Sequence, residues 1–173
     1  MSAEAVEAVE AAQEPAREVL PWGEVGNATR ELAQRIAADG FHPEVVVAIA
    51  RGGLLVGGAL AYALGVKSCG SLNVELYTGV DETLPEPLVL PPHLDGTSLQ
   101  GKRVLLADDV SQSGTTLRLA VDLLTRTGAT VRSACFYTKP GTAHEPDWAW
   151  RSTDRWIDFP WSAQPPVVAG AGA

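Results

Sequence analysis

The sequence predicts an α/β fold with a mostly parallel β-sheet flanked by helices. Two short segments, Val45–Ala50 and Arg103–Ala107, are dominated by apolar residues without polar alternation, which is typical of strands buried on both faces. Each segment is followed by a polar, glycine-containing turn and then by a segment with helical character. This alternation of strand, turn and helix indicates a parallel sheet, in which ligands bind at the carboxyl ends of the strands.

The first half of the chain contains two predicted helices and two predicted strands. Apolar residues at helical spacing predict a helix over Glu24–Asp39, and Gly40 follows at the position where a left-handed residue ends many helices. After the strand at Val45–Ala50, the segment Leu54–Leu64 is predicted to be helical. A second strand is predicted over Ser71–Tyr77.

The second half begins with a predicted long loop, because residues 78–100 contain four prolines and show no periodicity. Beyond the strand that ends at residue 107, a helix is predicted over Thr115–Thr127 and a further strand over Val131–Thr138. Trp148 and Trp150 alternate as they would on a strand, and we expect them to pack in a core or between subunits.

Length and composition restrict the domain organisation. With 173 residues, 46% of them hydrophobic and 20% charged, the chain has the size and composition of one globular domain. We expect residues 1–20 to form a flexible acidic leader, because glutamates three and four apart repel one another on a helix. Residues 162–173 have few side chains to bury and are expected to form a disordered tail, which leaves 21–161 as the folded domain.

Charge and cysteine content argue against several classes of protein. The formal net charge of −8, from 13 basic and 21 acidic side chains, disfavours nucleic acid or an anionic membrane as a partner. Cys69 and Cys135 lie far apart and fit neither a disulfide framework nor a zinc site. No segment has the character of a signal peptide or the roughly 20 apolar residues of a membrane span. We therefore expect a cytoplasmic protein.

The turn after the second buried segment combines two kinds of polar group. Its second half, Ser113–Thr116, offers hydroxyls, a glycine and the unpaired amides of a helix N-terminus, which together bind phosphate. A side chain added at Gly114 is therefore expected to block the phosphate and to leave the fold intact. The carboxylates of Asp108 and Asp109 would repel a phosphate unless they bind sugar hydroxyls or a cation such as Mg²⁺. The alternative is an N-capped turn with two solvated acids.

A second turn, Ala50–Gly53, also lies between a buried strand and a helix. Gly52 and Gly53 let the backbone approach a ligand closely, and Arg51 can bind an anionic oxygen through two hydrogen bonds. Because the carboxyl ends of parallel strands meet at one edge of a sheet, the two turns together predict a ligand with phosphate at both ends and a sugar between them.

Four segments resemble a known family. VLLADDVSQSGTTL at 104–117 is similar to the phosphoribosyl pyrophosphate signature of type I phosphoribosyltransferases, and VVVAIARGGL at 45–54 is similar to their pyrophosphate loop. YTKP at 137–140 and WIDFPW at 156–161 resemble purine-recognising segments of small archaeal and bacterial hypoxanthine, xanthine and guanine phosphoribosyltransferases. The resemblance implies an enzyme of purine salvage that transfers the 5-phosphoribosyl group from phosphoribosyl pyrophosphate to an oxopurine. It also implies Mg²⁺ as cofactor and a homodimer as the assembly.

The resemblance implies roles for individual residues. Asp108 and Asp109 would bind the ribose hydroxyls and Mg²⁺, and Arg51 would hold the pyrophosphate. The other residues implied to bind phosphoribosyl pyrophosphate are Gly52, Gly53, Val110, Ser111, Gln112, Ser113, Gly114, Thr115 and Thr116. The residues implied to bind the base are Lys139 through an exocyclic oxygen, Trp156 by stacking and Ile157 through its main chain. The residues implied to act in catalysis are Asp108, Asp109, Gln112 and Arg51.

Two features depart from the family pattern. Relatives carry an acid, credited with accepting the proton of the base, where this chain has Gln112, and an amide cannot take up a proton near neutral pH. Relatives usually carry a basic residue in the hood loop, whereas no Lys or Arg occurs from Ser68 to Gln100. Two alternatives therefore stand beside a purine enzyme. One is a non-catalytic sensor of phosphoribosyl pyrophosphate or a nucleotide, and the other is a transferase for a non-purine acceptor.

Overall fold

The computed structural model describes residues 16–79, 82–90 and 99–168. In chain order, its elements are β1 (Arg17–Val19), α1 (Trp22–Ala38), β2 (Val45–Ala50), α2 (Gly52–Leu64), β3 (Ser68–Gly79), β4 (Glu82–Leu90), β5 (Arg103–Ser111), α3 (Thr115–Thr125), β6 (Thr130–Thr138), β7 (Trp148–Ser152) and β8 (Trp156–Asp158). The three predicted helices are confirmed, and so is the strand at 45–50. In the predicted tail, residues 162–168 form neither helix nor strand, and residues 1–15 and 169–173 lie outside the described residues.

Six strands form one sheet in the order β4-β3-β2-β5-β6-β7. The neighbours from β3 to β7 pair in parallel, and β4 pairs antiparallel with β3 at one edge. The predicted mostly parallel sheet is therefore confirmed. β1 and β8 form a separate two-stranded parallel sheet. Among the described residues, no helix is both long and apolar enough to cross a lipid bilayer.

Helices cover both faces of the sheet, which explains the uninterrupted apolar character of β2 and β5. Val46 and Leu105 share one core cluster with side chains of α1 and α2, whereas Val47 and Leu106 share the other cluster with side chains of α3. A strand with both faces buried needs no polar alternation. Because β2 and β5 are neighbours in the sheet, their carboxyl ends lie side by side, and each end leads into a helix.

The stretch from 78 to 100, predicted to be a long loop, contains the strand β4, so this prediction is wrong. β3 and β4 pair antiparallel from Asn73↔Leu90 to Gly79↔Glu82. β4 is an edge strand, where proline is tolerated because one side of the strand needs no ladder hydrogen bonds. The prolines thus concealed a strand from the sequence pattern. Residues 80–81 and 91–98 lie outside the described residues.

The end of β5 is also different, because it was predicted at Ala107 and lies at Ser111. The acidic pair Asp108-Asp109 therefore belongs to a strand and not to a turn. β6 continues beside it and pairs Asp108 with Cys135 and Ser111 with Thr138. A site built on a paired strand is held more firmly than one built on a loop.

The last residues of the predicted leader belong to the folded domain. β1 pairs with β8, and Nη1 of Arg17 lies 2.7 Å from Oδ1 of Asp158. Leu20 is buried in the core cluster that includes α1 and α2. The predicted boundary at residue 20 is therefore wrong for residues 17–20. It was missed because a three-residue strand has too little sequence to show a period.

The alternating tryptophans of β7 are confirmed as core residues. Trp148 and Trp150 are both buried, and their indole N–H groups donate to Asp39 at 2.7 Å and to Glu31 at 2.8 Å. These hydrogen bonds tie α1 and the residue that follows it to the edge of the sheet opposite β4.

Leu20 provides a test of the N-terminal boundary. Because its side chain is 1% exposed, Leu20→Ala is expected to lower the free energy of unfolding by about 2–5 kcal/mol. The matched control is Val19→Ala, since Val19 is 64% exposed and its truncation should change stability by at most about 0.5 kcal/mol. Equal losses for the two variants in chemical denaturation would contradict the fold described for residues 17–20.

Candidate active site

The two predicted ligand-binding segments meet in one cavity of about 250 Å³ at the carboxyl ends of β2 and β5. Of the residues predicted to bind the donor, it is lined by Arg51, Gly52, Asp108, Asp109, Val110, Ser111, Gln112, Ser113, Gly114 and Thr116. The peptide bond between Ala50 and Arg51 is cis. Because α2 and α3 both begin here, the positive ends of two helix dipoles lie at this donor cavity. The arrangement favours a ligand with two anionic groups.

Asp108 and Asp109 line the donor cavity from β5. Oδ1 of Asp108 accepts the main-chain N–H of Asp109 at 2.9 Å, and Oδ2 of Asp109 accepts the indole N–H of Trp161 at 3.3 Å. Burial raises the pKa of both carboxyls, and the neighbouring charge of Asp109 raises the pKa of Asp108 further. The hydrogen bond from Trp161 opposes the rise in the pKa of Asp109. A ligand that donates hydrogen bonds or carries positive charge would stabilise the charged form of both groups.

The Gly52-Gly53 turn lies directly against this acidic pair. A β-carbon on Gly52 would overlap the carboxylate of Asp109. One on Gly53 would lie 2.5 Å from the carbonyl oxygen of Ala107 and 3.2 Å from Oδ1 of Asp108. The sequence suggested that both glycines serve close approach to a ligand, but Gly53 is buried and does not line the donor cavity. The glycines are needed first for contact between the two segments of the protein itself.

The predicted phosphate cup is the N-terminus of α3. Ser113, Gly114 and Thr116 line the donor cavity, and the first-turn amides of a helix have no intrahelical partner. The Ser113 hydroxyl donates to the Thr115 hydroxyl at 3.1 Å and accepts the Thr115 N–H at 3.3 Å. Thr115 itself lines a separate groove beside Arg118. Thr115 therefore orients the Ser113 hydroxyl rather than lining the donor cavity.

A side chain added at Gly114 would point into protein and not into open space. Its φ is +81°, and an added β-carbon would lie 2.5 Å from the main-chain nitrogen of His144 and 2.6 Å from the Thr142 hydroxyl. The Ser111 hydroxyl donates to the His144 carbonyl at 3.2 Å and so holds the same 142–144 loop. The expectation that a side chain at Gly114 blocks only the phosphate is therefore wrong, because such a side chain displaces this loop.

A second cavity, of about 560 Å³, contains the residues predicted to bind a base. Trp156 and Ile157 line this base cavity from β8, and Lys139 lines it from the end of β6. Trp156 is 62% exposed, so it can offer a ring face to a planar ligand. Lys139 donates from Nζ to the main-chain oxygen of Arg155, which ties the end of β6 to the segment before β8.

Three residues line both cavities, namely Asp109, Val110 and Gln112. They form a junction at which a sugar in the donor cavity and a ring in the base cavity would meet. The base cavity is also lined by residues that the sequence did not single out, which are Pro140, Asp154, Phe159 and Ser162. Pro140 lies in the YTKP segment and Phe159 in the WIDFPW segment, so those motifs were the signal that could have identified them.

Asp108 and Asp109 have the chemistry of a Mg²⁺ site that is completed by a ligand. Within residues 16–79, 82–90 and 99–168, no group of three or more His, Cys, Asp or Glu side chains is arranged to hold a metal. Mg²⁺ keeps several waters and is commonly bound by one or two carboxylates together with substrate phosphates. Two carboxylates beside a phosphate cup therefore fit Mg²⁺ that binds with a phosphorylated ligand.

Alanine substitutions at Gly114 and Gly141 distinguish the energetic cost of a steric contact from that of backbone strain. Their φ values are +81° and +79°, so alanine at either position costs about 1–2 kcal/mol in the backbone. A β-carbon on Gly141 would meet nothing within 4 Å, whereas one on Gly114 meets the 142–144 loop. We expect Gly114→Ala to lower the free energy of unfolding by about 1–3 kcal/mol more than Gly141→Ala. Equal losses in chemical denaturation would contradict the contact.

Comparisons with known proteins agree with this geometry. The sequence model of the phosphoribosyl transferase domain matches residues 15–168. A xanthine-guanine phosphoribosyltransferase of Gluconobacter oxydans is 30% identical over 159 residues, covering 88% of this chain and 91% of that protein. An adenine phosphoribosyltransferase of Chlorobium phaeobacteroides is 32% identical over 110 residues, covering 61% of this chain and 62% of that protein.

The solved structures add a similarity of fold over nearly the whole chain. The crystal structure of a purine phosphoribosyltransferase from Pyrococcus horikoshii has a TM-score of 0.74 and 32% identity, and the match covers 88% of this chain and 97% of that one. The match to the domain model, over residues 15–168, includes all the residues that line the two cavities. The chain belongs to the phosphoribosyltransferase family.

Proposed function

We propose that this chain is a purine phosphoribosyltransferase, which transfers the 5-phosphoribosyl group from phosphoribosyl pyrophosphate to xanthine, hypoxanthine or guanine and releases pyrophosphate. The observation that carries the proposal is the junction of the donor and base cavities at Asp109, Val110 and Gln112. The donor cavity has two helix N-termini for anionic groups, and the base cavity has an exposed tryptophan and a lysine. A sugar phosphate and a planar base bound in them would react at the junction.

The donor cavity suits phosphoribosyl pyrophosphate group by group. The cup at 113–116 supplies amides and hydroxyls for the 5-phosphate, and Arg51 supplies positive charge for the pyrophosphate. Asp108 and Asp109 line the same cavity as these two anion sites and would bind the ribose hydroxyls and Mg²⁺. When bound, Mg²⁺ supplies charge stabilisation for the leaving pyrophosphate.

Lys139 favours an oxopurine over adenine. An ammonium group only donates hydrogen bonds, so it suits an exocyclic carbonyl and offers no acceptor to an exocyclic amine. Its Nζ already donates to the Arg155 carbonyl, which fixes its position at the wall of the base cavity. Trp156 would stack on the purine, and the main chain at Ile157 would contact the edge of the ring.

Gln112 decides how the proton of the base is removed. Its side chain lies at the junction of the two cavities, where a ring nitrogen would form the new bond to the ribose. The amide can accept a hydrogen bond from a ring N–H but cannot take the proton. The proton must therefore pass to water, or the base must bind already ionised. Xanthine loses a proton more readily than hypoxanthine or guanine, so we expect it to be the preferred base.

We also propose that the enzyme depends on Mg²⁺, is cytoplasmic, forms a homodimer and acts in purine salvage. The free thiols of Cys69 and Cys135 fit a reducing compartment. A second copy of the chain would cover apolar side chains of α2, where Leu54, Leu55 and Tyr62 are 47%, 40% and 94% exposed.

The direct test is nucleotide formation with Mg²⁺, phosphoribosyl pyrophosphate and each of xanthine, hypoxanthine, guanine and adenine. We expect nucleotide and pyrophosphate in equal amounts from an oxopurine, and much less product from adenine. Binding of phosphoribosyl pyrophosphate without product from any base would overturn the proposal and favour the sensor. A second panel of non-purine nucleobases is assayed in the same way, and product from one of these alone would favour the third possibility.

Trp156→Ala tests the base cavity. Stacking on an aromatic ring is worth roughly 1–3 kcal/mol per base, so we expect KM for the base to rise about tenfold and KM for phosphoribosyl pyrophosphate to change less than about twofold. The control is Trp22→Ala, because Trp22 is similarly exposed, at 59%, and lines neither cavity. Steady-state kinetics for both substrates distinguish the two variants. An equal change in both KM values would show that Trp156 has a structural role only.

Gln112→Asp tests the missing acid. General-base assistance is typically worth ~10²–10⁴-fold, so we expect kcat at saturating donor to rise at least about tenfold for hypoxanthine and guanine and less for xanthine. The added carboxylate lies beside the phosphate cup, so KM for phosphoribosyl pyrophosphate should rise as well. Gln112→Asn is the matched control, since it has the size of aspartate without its basicity. If the two variants have the same kcat for guanine, Gln112 does not limit proton transfer.

A further inference from the structure

Trp161 lines neither the donor cavity nor the base cavity, yet it contacts a residue that lines both. It follows β8 at the end of the WIDFPW segment and is half-buried. Its Nε1 donates to Oδ2 of Asp109 at 3.3 Å, across 52 positions of the sequence. The indole therefore contacts the donor-cavity acid from outside the cavity.

Two aromatic neighbours fix the orientation of this indole. Phe159 stacks on it with 4.9 Å between ring centroids and 13° between the planes. Trp22, at the start of α1, contacts it edge to face at 5.9 Å. Phe159 is itself buried and held edge to face against Tyr137 at 5.7 Å. The N–H of Trp161 is thus aimed by ring packing and has little rotational freedom.

The start of α2 confines the same carboxylate, that of Asp109. The first residue of α2, Gly52, lies so close to the carboxylate that a β-carbon there would overlap it. The carboxylate can therefore neither rotate toward α2 nor leave the indole without losing a hydrogen bond. Oδ2 of Asp109 accepts the indole N–H of Trp161, and Asp109 lines the donor cavity, where a ligand can reach it.

From this geometry we propose that Trp161 is a positioning residue, which acts through Asp109 to hold the carboxylate in the orientation that binds the ribose of phosphoribosyl pyrophosphate. The inference rests on the proposed function, because it assigns Asp109 to the donor. It gives the WIDFPW segment two separate tasks. Trp156 at its start lines the base cavity and would contact the base, and Trp161 at its end would orient an acid of the donor cavity.

The test compares Trp161→Phe with the matched control Trp148→Phe. Both substitutions keep an aromatic ring and remove one hydrogen bond from an indole N–H to a carboxylate. Only Asp109, the partner of Trp161, lines the donor cavity, whereas the partner of Trp148 is Asp39. We measure the affinity for phosphoribosyl pyrophosphate with Mg²⁺ by calorimetry, KM for the base, and the midpoint of thermal unfolding. Because hydrogen bonds to charged groups are among the stronger ones, we expect Trp161→Phe to weaken donor binding about tenfold and to leave KM for the base within about twofold. Trp148→Phe should leave donor affinity within about twofold.

A double-mutant cycle separates positioning from a general loss of structure. In an Asp109→Ala background, Trp161→Phe should have no further effect on donor affinity, because the group it positions is gone. Additive losses, or equal losses in Trp161→Phe and Trp148→Phe, would overturn the inference and leave the proposed function standing. If the unmodified chain does not bind phosphoribosyl pyrophosphate, the proposed function and the inference that depends on it are both overturned.

Discussion

The close approach of the Gly52-Gly53 turn to Asp108 and Asp109 is the constraint on which the rest of the site depends. Parallel pairing of β2 with β5 brings their carboxyl ends together, and only glycine leaves space for the carboxylates between the start of α2 and the end of β5. The same contact fixes where α2 begins. The helix N-terminus, its Arg51 and the acidic pair are therefore positioned as one unit, before any ligand binds.

This unit has an electrostatic cost that a ligand can relieve. Burial raises the pKa of both Asp108 and Asp109, which means that the protein alone stabilises their charged forms poorly. Hydroxyl donors of a ribose, or a divalent cation carried by phosphates, would stabilise those charges. Phosphates in turn need the two helix N-termini beside the acids. Acids and anion sites in one cavity thus select a ligand that carries hydroxyls, phosphates and a cation together.

The elements that could be predicted from the sequence are those with a local physical signature. β2 was predictable because burial on both faces demands an unbroken apolar run. α3 was predictable because small and hydroxyl residues mark its N-terminus. β1 and β4 were missed, because one is three residues long and the other contains prolines that only an edge position tolerates. The contact of Trp161 with Asp109 joins distant segments, so no local pattern encodes it.

The two departures from the family pattern alter the charge of the site in opposite directions. Gln112 removes a negative charge at the junction of the cavities, and the absence of Lys and Arg from Ser68 to Gln100 removes positive charge from the hood. An acid at 112 would add a third carboxylate to the cavity that Asp108 and Asp109 line, and like charges repel. Arg51, the two helix N-termini and a bound cation would have to offset that repulsion without a basic residue between Ser68 and Gln100. Compared with an acid, the amide of Gln112 cannot accept the proton of the base, but it adds no negative charge that would oppose binding of an anion in the donor cavity.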